Sequence, residues 1–151
     1  MRRSIRWIPG SLALLALMAG DAVRARAQFS HRVNASIPFA FEAGGRILPP
    51  GSYSITHPVA GAIQIVSRDG ARFVYATAHD ETSDTTFGAA TLLFHRINGR
   101  YFFTGVWEPE NKVGSAVWTS RAEREARRAL AADGSARPAP EPVYVSARLA
   151  P

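Results

Sequence analysis

Residues 91–107, TLLFHRINGRYFFTGVW, constrain the fold of this chain more than any other stretch. Asn98-Gly99 separates two apolar runs, and Asn-Gly is the preferred pair in a two-residue type I′ turn because both positions need a positive φ. The flanking aromatic and β-branched residues suit a pleated, half-buried surface. The stretch is therefore predicted to be a β-hairpin, and the short turn sets a register in which Phe94 faces Phe103.

Both faces of the predicted hairpin are largely apolar. One face is expected to carry Leu92, Phe94, Phe103 and Trp107, and the other Leu93, His95, Ile97, Phe102 and Val106. A strand pair that is covered on both faces belongs inside the wall of a sandwich or barrel and not at its edge. Phe94, Phe103 and Trp107 are accordingly the candidate lining of a ligand cavity, although core packing explains the same side chains.

Alternating apolar residues predict more strands on both sides of the hairpin. Pro38 interrupts the first of them, so this strand is expected to bend there or to lie at an edge. A second hairpin is predicted over residues 62–79, with its turn at Asp69-Gly70. Residues 80–90 follow as a polar loop, and residues 113–118 are compatible with a short further strand.

The segment Ser120-Arg121-Ala122-Glu123 matches a capping box, in which the Ser hydroxyl and the Glu carboxylate satisfy free backbone N–H groups. A helix is therefore predicted over residues 120–132. Residues 133–151 form a Pro-rich linker and tail, whose final VYVSARL is compatible with an added strand or with an unstructured end. Residues 28–119 are predicted to form a mostly β domain, an antiparallel β-sandwich or small β-barrel of about seven to eight strands, with one C-terminal helix after it.

The first 27 residues have the organisation of a cleaved signal peptide. A basic start precedes the apolar run of residues 11–20, which is shorter than a membrane span, and Ala25-Arg26-Ala27 fits an A-x-A cleavage site. The mature protein is therefore predicted to begin at Gln28 and to be exported, either to the periplasm or as a secreted protein. General secretion and twin-arginine export both stay open, and no transmembrane segment is predicted in the rest of the chain.

The positive charge of the chain is concentrated in that leader. The whole sequence has a formal net charge of +6, but residues 1–27 hold five Arg and one Asp and leave only about +2 for the rest. A charge this small gives no support to nucleic-acid binding, so no nucleic-acid partner is predicted. The chain has no Cys, so an exported domain of this sequence must be stabilised by its apolar core.

Three segments together resemble a family of short, exported, uncharacterised bacterial proteins. They are IPFAFEAGGRILPPGSYSI, LLFHRINGRYFFTGVW and SRAERE, and they span residues 37–125. The family pattern is an aromatic-rich VPF-x-F segment, a Leu-Pro-x-Gly-x-Tyr turn and an F-H-R-x-x-x-x-Y-F hairpin, and Pro50 here stands where the family more often has Ala. The resemblance implies export and a compact β fold, and it transfers no activity or functional residue to this chain.

The sequence contains no motif for catalysis or for a cofactor. It has no G-x-S-x-G elbow, no P-loop and no dinucleotide-binding fingerprint. Its four His residues lie on separate segments without the H-x-x-x-H or H-x-H spacing of metal sites, and His95 is interpreted as a structural residue. The basic helix has a mostly Ala apolar face and is interpreted as a solvated surface helix. No catalytic residue, cofactor or zinc site is predicted.

One candidate metal site comes from two loops that the hairpin register brings together. Thr91 and Trp107 lie at the same end of the hairpin, so the loop before the first and the loop after the second should meet. The acidic residues of these loops are Asp80, Glu81, Asp84, Glu108 and Glu110. Such an oxygen-rich cluster is a candidate Ca²⁺ site, while solvated loops explain the same residues.

Two functions are compatible with these features. The absence of a nucleophile–base–orienter set favours the first, an exported, non-catalytic β domain that binds a protein partner or a small apolar ligand in the cell envelope. The second is a small envelope hydrolase acting on ester or glycoside substrates. A closed aromatic cavity favours a small-molecule carrier, an exposed aromatic patch favours a protein partner, and a cleft with two carboxylates favours the hydrolase. The oligomeric state stays open.

Overall fold

A computed structural model of the chain describes residues 31–132 and 139–150. The predicted signal peptide and residues 133–138 of the predicted linker lie outside the described residues. The described part contains ten strands and one helix. These are β1 Arg32–Ile37, β2 Phe41–Ala43, β3 Arg46–Leu48, β4 Gly51–Val59, β5 Ala62–Ser67, β6 Phe73–Thr82, β7 Thr91–Ile97, β8 Arg100–Trp107, β9 Val113–Val117, α1 Arg121–Ala132 and β10 Glu141–Ala150.

Eight of the strands close into an antiparallel barrel. Around the barrel they follow the order β8, β7, β10, β1, β4, β5, β6 and β9, and β9 then pairs with β8 to complete the ring. The prediction of a mostly β fold with one C-terminal helix is confirmed, and of the two predicted architectures it is the barrel that forms. Closure removes the unpaired edges that an open sheet would expose.

The short strands β2 and β3 complete the wall where β9 does not reach. β9 pairs with the last part of β8, at Val106, whereas β2 pairs in parallel with the first part of β8, at Tyr101. Gly44, in the turn between β2 and β3, has a φ of 53° and lies against the backbone of Tyr75 in β6, where a Cβ would collide. Only glycine fits this turn, because it needs both a positive φ and a close approach to another strand.

The central hairpin has the predicted turn and the predicted register next to Asn98-Gly99. Phe94 faces Phe103 as expected. Beyond this pair a β-bulge shifts the register by one residue, because Thr104 is an extra residue in β8 and Leu93 pairs with the residue after it. The Thr104 hydroxyl donates a hydrogen bond to the Leu93 carbonyl at 2.9 Å, which helps to hold the bulge in place.

The bulge exchanges the faces of two side chains at the open end of the hairpin. Val106 packs in the barrel interior with Leu92, whereas Trp107 lies on the outside. The predicted placement of Trp107 on one face with Phe94 and Phe103 is therefore wrong. A two-residue turn fixes the pairing next to it, but one inserted residue farther along reverses which side chains point inward.

The last strand, β10, is an integral part of the barrel. It pairs with β7 on one side and with β1 on the other. Its alternate residues Val143, Val145 and Ala147 contribute to the interior. Of the two alternatives for the end of the chain, the added strand is the one observed. The β domain therefore does not end at residue 119, because the chain returns after α1 to fill the ring between β7 and β1.

The remaining strands follow the sequence pattern with two exceptions. The second hairpin has the register expected from a turn at Asp69-Gly70, with Ile65 opposite Val74. The first strand ends before Pro38, but it pairs on both sides and is not an edge strand. The loop predicted to start at residue 80 starts later, because β6 continues to Thr82 in order to pair with β9.

Helix α1 begins at the predicted cap and covers the outside of the central hairpin. The Ser120 hydroxyl accepts a hydrogen bond from the Glu123 backbone N–H at 3.0 Å, which is the Ser half of the capping box. Ala126 packs against Ile97 and Phe102, on the face of β7 and β8 that points away from the interior. Both faces of the hairpin are thus covered, as predicted. Within the described residues, no helix has the length and apolar character needed to cross a membrane.

Candidate functional site

Side chains fill the interior of the barrel around Phe94. Its ring lies 5.4 Å from that of Phe41 and 5.6 Å from that of Phe103, measured between centroids, and both pairs are edge-to-face. All three rings are buried. These contacts are those of a packed core. Of the aromatic residues predicted to line a ligand cavity, Phe94 and Phe103 are therefore core residues, and Trp107 lies on the opposite face of the sheet.

Trp107 is buried on the outside of the barrel, where it joins two strands and a loop. Its indole ring lies on Gly105 of β8 and Gly114 of β9, and Phe87 packs beside it with a centroid distance of 6.2 Å. A Cβ at Gly114 would come within 2.5 Å of the indole carbons Cδ1 and Cε2. Trp107 is therefore a structural residue that requires glycine beneath it.

The two loops predicted to hold Ca²⁺ meet, but they do not gather their carboxylates. The Glu110 N–H donates a hydrogen bond to the other loop at 2.8 Å. Oε1 of Glu108 lies 3.4 Å from Nδ1 of His31. Asp80 and Glu81 belong to strand β6 and not to the loop. Within the part of the chain that the structure describes, no three His, Cys, Asp or Glu side chains come close enough to hold a metal ion. The candidate Ca²⁺ ligands therefore form no common site. These ligands are Asp80, Glu81, Asp84, Glu108 and Glu110.

A buried ionic cluster joins α1 to β7. The Glu123 carboxylate, 3% exposed, accepts a hydrogen bond from Arg127 at 2.5 Å and lies 2.9 Å from His95 Nδ1. Burial disfavours the charged carboxylate, but the hydrogen bonds from His95 and Arg127 outweigh burial and hold the pKa of Glu123 below its ordinary value. These contacts agree with a structural role for His95. The capping box alone gave no sign that Glu123 also binds the barrel.

A groove of about 1200 Å³ lies along the outside of β10, β1, β4 and β5. Most of its lining side chains occupy the positions that alternate with core residues along these strands. One cross-strand row runs from Arg148 through Asn34, Ser54 and Val66 to Phe73, and each residue faces the next. We call this surface the outer groove.

Hydroxyl and amide groups occupy the middle of the outer groove. Its lining includes the polar, uncharged side chains of Asn34, Ser36, Ser52, Ser54, Thr56 and Gln64. The Thr56 hydroxyl donates to Gln64 Oε1 at 3.3 Å, and Gln64 Nε2 donates to the Tyr75 hydroxyl at 2.8 Å. These bonds fix the Gln64 amide across three strands. Among the described residues, no hydrogen-bond partner lies within reach of the buried Ser54 hydroxyl.

The side chains that line the outer groove carry more positive than negative charge. Arg32, Arg68 and Arg148 line it, and none of its described lining residues is Asp or Glu. The nearby carboxylate is that of Asp69, which accepts hydrogen bonds from the Ser67 hydroxyl at 2.5 Å and from a backbone N–H at 3.0 Å. The Ser67 hydrogen bond, followed by the backbone one, lowers the pKa of Asp69. The groove is therefore suited to an anionic ligand.

Two exposed aromatic rings lie on β6 at the edge of the outer groove. Phe73 is 54% exposed and Tyr75 is 53% exposed, and their ring centroids are 6.1 Å apart. Phe73 faces Val66 and Tyr75 faces Gln64, both of which line the groove. A molecule in the groove therefore has an apolar, flat surface within reach on one side.

A second, smaller groove of about 460 Å³ is the best location for the alternative hydrolase function. Its lining includes His57, His79, Asp80 and Ser115. Burial lowers the pKa of His57, although Glu108 and Asp80 oppose the shift. The Nε2 atom of His79 lies 3.7 Å from Oε2 of Glu81. The Nδ1 atom of His79 has no hydrogen-bond partner among the described residues. Ser115 and His79 therefore do not form the hydrogen-bonded pair that activates a nucleophile.

The outer groove was not predicted from the sequence, although a signal for it was present. Its residues are the polar positions of strands whose alternate positions are apolar, and such positions are ordinarily solvated surface. The distinguishing feature is the sign of the charges, because these positions hold Arg and no acidic residue. That feature becomes visible only when the strand order places β10, β1, β4 and β5 side by side.

Comparisons of the chain with protein-family models, with curated proteins and with solved structures gave no match.

Proposed function

We propose that the protein is an exported, non-catalytic β-barrel that binds a polar partner in its outer groove. The observation that carries this proposal is the contrast between the two sides of the barrel wall. The inside is packed with aromatic and aliphatic side chains. The outside of β10, β1, β4 and β5 presents arginines, hydroxyls and amides around a groove of about 1200 Å³. A groove that gathers hydrogen-bond donors, acceptors and positive charges can bind a polar or anionic ligand.

The polar character of the groove disfavours the small apolar ligand that the sequence left open. Phe94 and Phe103, which would have lined a cavity for such a ligand, belong to the packed core. The exposed pair Phe73 and Tyr75 instead adjoins a polar surface. Export is supported by the signal-peptide pattern of residues 1–27, and it would place the groove in contact with envelope or extracellular material.

The test is a capture experiment from envelope extract with three forms of the purified protein. They are the wild type, Arg148→Glu, which reverses a charge in the outer groove, and Arg128→Glu, which makes the same change at an exposed position of α1. Mass spectrometry of proteins, saccharides and small molecules then identifies what is retained. We expect a component that the wild type and Arg128→Glu retain and that Arg148→Glu loses.

Two results would contradict the proposal. The first is retention of the same components by all three proteins. The second is that nothing is retained, while the wild type hydrolyses members of an ester and glycoside panel and Ser115→Ala does not. That outcome would place the function in the smaller groove, which Ser115 lines.

A further inference from the structure

We propose that the outer groove binds a short acidic oligosaccharide. Its carboxylates would pair with the groove arginines, and its hydroxyls would bind the Ser, Thr, Asn and Gln side chains between them. This inference rests on the proposed function, because it names the ligand class of the same groove. It follows from three properties of the groove, namely the spacing of its charges, the neutral polar groups between them and the aromatic edge.

The arginines lie at two separated places in the groove. Arg148 faces Asn34, and Arg32 faces Ala150, so Arg32 and Arg148 are diagonal neighbours on adjacent strands. The backbones of such neighbours are roughly 7–8 Å apart. Arg68 follows β5, and its backbone N–H donates to the Ser52 carbonyl at 2.9 Å. β10 and β5 are three strand spacings apart, and Arg68 lies two residues beyond Val66, which is in the row of Arg148. The backbone of Arg68 is therefore displaced from that of Arg148 by roughly 14 Å across the strands and roughly 7 Å along them. Arginine is suited to carboxylates because its planar group donates two parallel hydrogen bonds.

Neutral polar groups fill the space between these charges. Asn34, Ser54 and Gln64 belong to three adjacent strands and all line the groove. Their hydroxyl and amide groups act both as donors and as acceptors, which matches sugar hydroxyls, since these also do both. A ligand that carries separated negative charges and a series of hydroxyls between them is complementary to this arrangement.

The aromatic edge favours the same ligand. Phe73 and Tyr75 are half exposed on β6, directly beside Val66 and Gln64. Sugar rings have faces of C–H groups as well as hydroxyls, and a flat aromatic side chain offers those faces an apolar surface to bury. One end of the oligosaccharide is therefore expected to lie against these rings, while its charged units lie over the arginines.

Other classes of partner fit the groove less well. A single-stranded nucleic acid carries one phosphate on every unit and needs aromatic side chains along the whole path of its bases. Here the cations are separated by neutral residues, and the exposed aromatic pair lies at one edge. A protein partner is expected to bury an apolar centre with a polar rim, whereas the centre of this groove is polar.

The test is calorimetric titration of the purified protein with three probes of similar length. They are an oligogalacturonate, a neutral cello-oligosaccharide and an oligothymidylate. We expect the oligogalacturonate to bind at least tenfold more tightly than the neutral sugar, and its affinity to fall with added salt because the groove arginines are exposed. Arg148→Gln and Arg68→Gln are each expected to weaken binding roughly two- to fivefold. Arg128→Gln on α1 is the matched control and is expected to bind like the wild type.

The outcomes separate this inference from the proposed function. Equal binding of neutral and acidic sugars, or tighter binding of the oligothymidylate, would overturn the acidic oligosaccharide. The acidic oligosaccharide would also be overturned if the protein binds no sugar but still captures a partner from envelope extract through Arg148. The proposed function would stand in that case. If the sugar binds equally to the wild type, Arg148→Gln and Arg68→Gln, the outer groove is not the sugar site and the acidic oligosaccharide is overturned. The proposed function fails as well only if Arg148→Glu also captures the same components as the wild type.

Discussion

Replacing Glu123 by Ala is expected to destabilise the protein by about 1–3 kcal/mol, because the substitution removes the charge that joins α1 to the barrel. The Glu123 carboxylate is 3% exposed and contacts Arg127 at 2.5 Å and His95 at 2.9 Å. The barrel supplies His95, from β7, and the helix supplies Arg127. The loss should therefore loosen the packing of Ala126 on the central hairpin as well as the cluster itself.

The expected magnitude follows from how deeply the three groups are buried. Breaking a fully buried ion pair costs about 3–5 kcal/mol, because one charge stays behind without a partner. Arg127 and His95 retain 38% and 26% of their side-chain exposure, so water can solvate them after the substitution. The cost should therefore lie below that range. It should still exceed the roughly 0.2–1 kcal/mol of a pair between exposed side chains.

Urea unfolding of the purified variants measures this cost, and Glu125→Ala is the matched control. Glu125 lies on the same helix and pairs with Arg121 at 2.7 Å, but both side chains are exposed, so its loss should cost less than about 1 kcal/mol. The pKa of Glu123 is lowered in the folded protein. Its contribution is therefore complete above the ordinary value of 4.5 and is lost as the pH falls through the folded value. Equal costs for Glu123→Ala and Glu125→Ala at neutral pH would refute this account of the cluster.

Three further outcomes are expected. Gly114→Ala should destabilise the protein by about 1–3 kcal/mol, because its Cβ would overlap the Trp107 ring. Gly88→Ala is the control, because its Cβ would meet nothing within 4 Å, and equal urea midpoints for the two variants would contradict this prediction. A chain that ends at residue 138 lacks β10 and should lose cooperative thermal unfolding by circular dichroism, and a wild-type transition would show that β10 is dispensable. Mass spectrometry of the exported protein should give a chain that begins at Gln28, and a retained leader would refute the cleavage prediction.

The parts of the fold that short-range chemistry determines could be predicted from the sequence. Asn98-Gly99 sets a turn with a positive φ at both residues, and the pairing of Phe94 with Phe103 follows from it. Ser120 caps a helix by a hydrogen bond three residues away. Each of these features depends on residues that are close in the chain, so that composition and spacing are enough to identify them.

The parts that were missed depend on contacts between distant segments. The bulge at Thr104 reversed the predicted face of Trp107, and its local sign is Gly105, since a glycine inside a strand often accompanies a bulge without fixing its position. Strand β10 follows a Pro-rich stretch and has small inward residues such as Ala147, so its place in the barrel became clear only from its pairing with β7 and β1. The outer groove was missed for the same reason, since Arg148 and Asn34 are neighbours only in the folded sheet.

The most direct test of binding in the outer groove is to map it by nuclear magnetic resonance on the full-length, isotope-labelled protein titrated with the oligogalacturonate. We expect the backbone amide signals that shift most to be those of the cross-strand row formed by Asn34, Ser54, Val66 and Arg148. The amides around Ser115 in the smaller groove should stay unchanged. Shifts that centre on Ser115, or an absence of shifts along the row at saturating ligand, would contradict a binding site on the outside of β10, β1, β4 and β5.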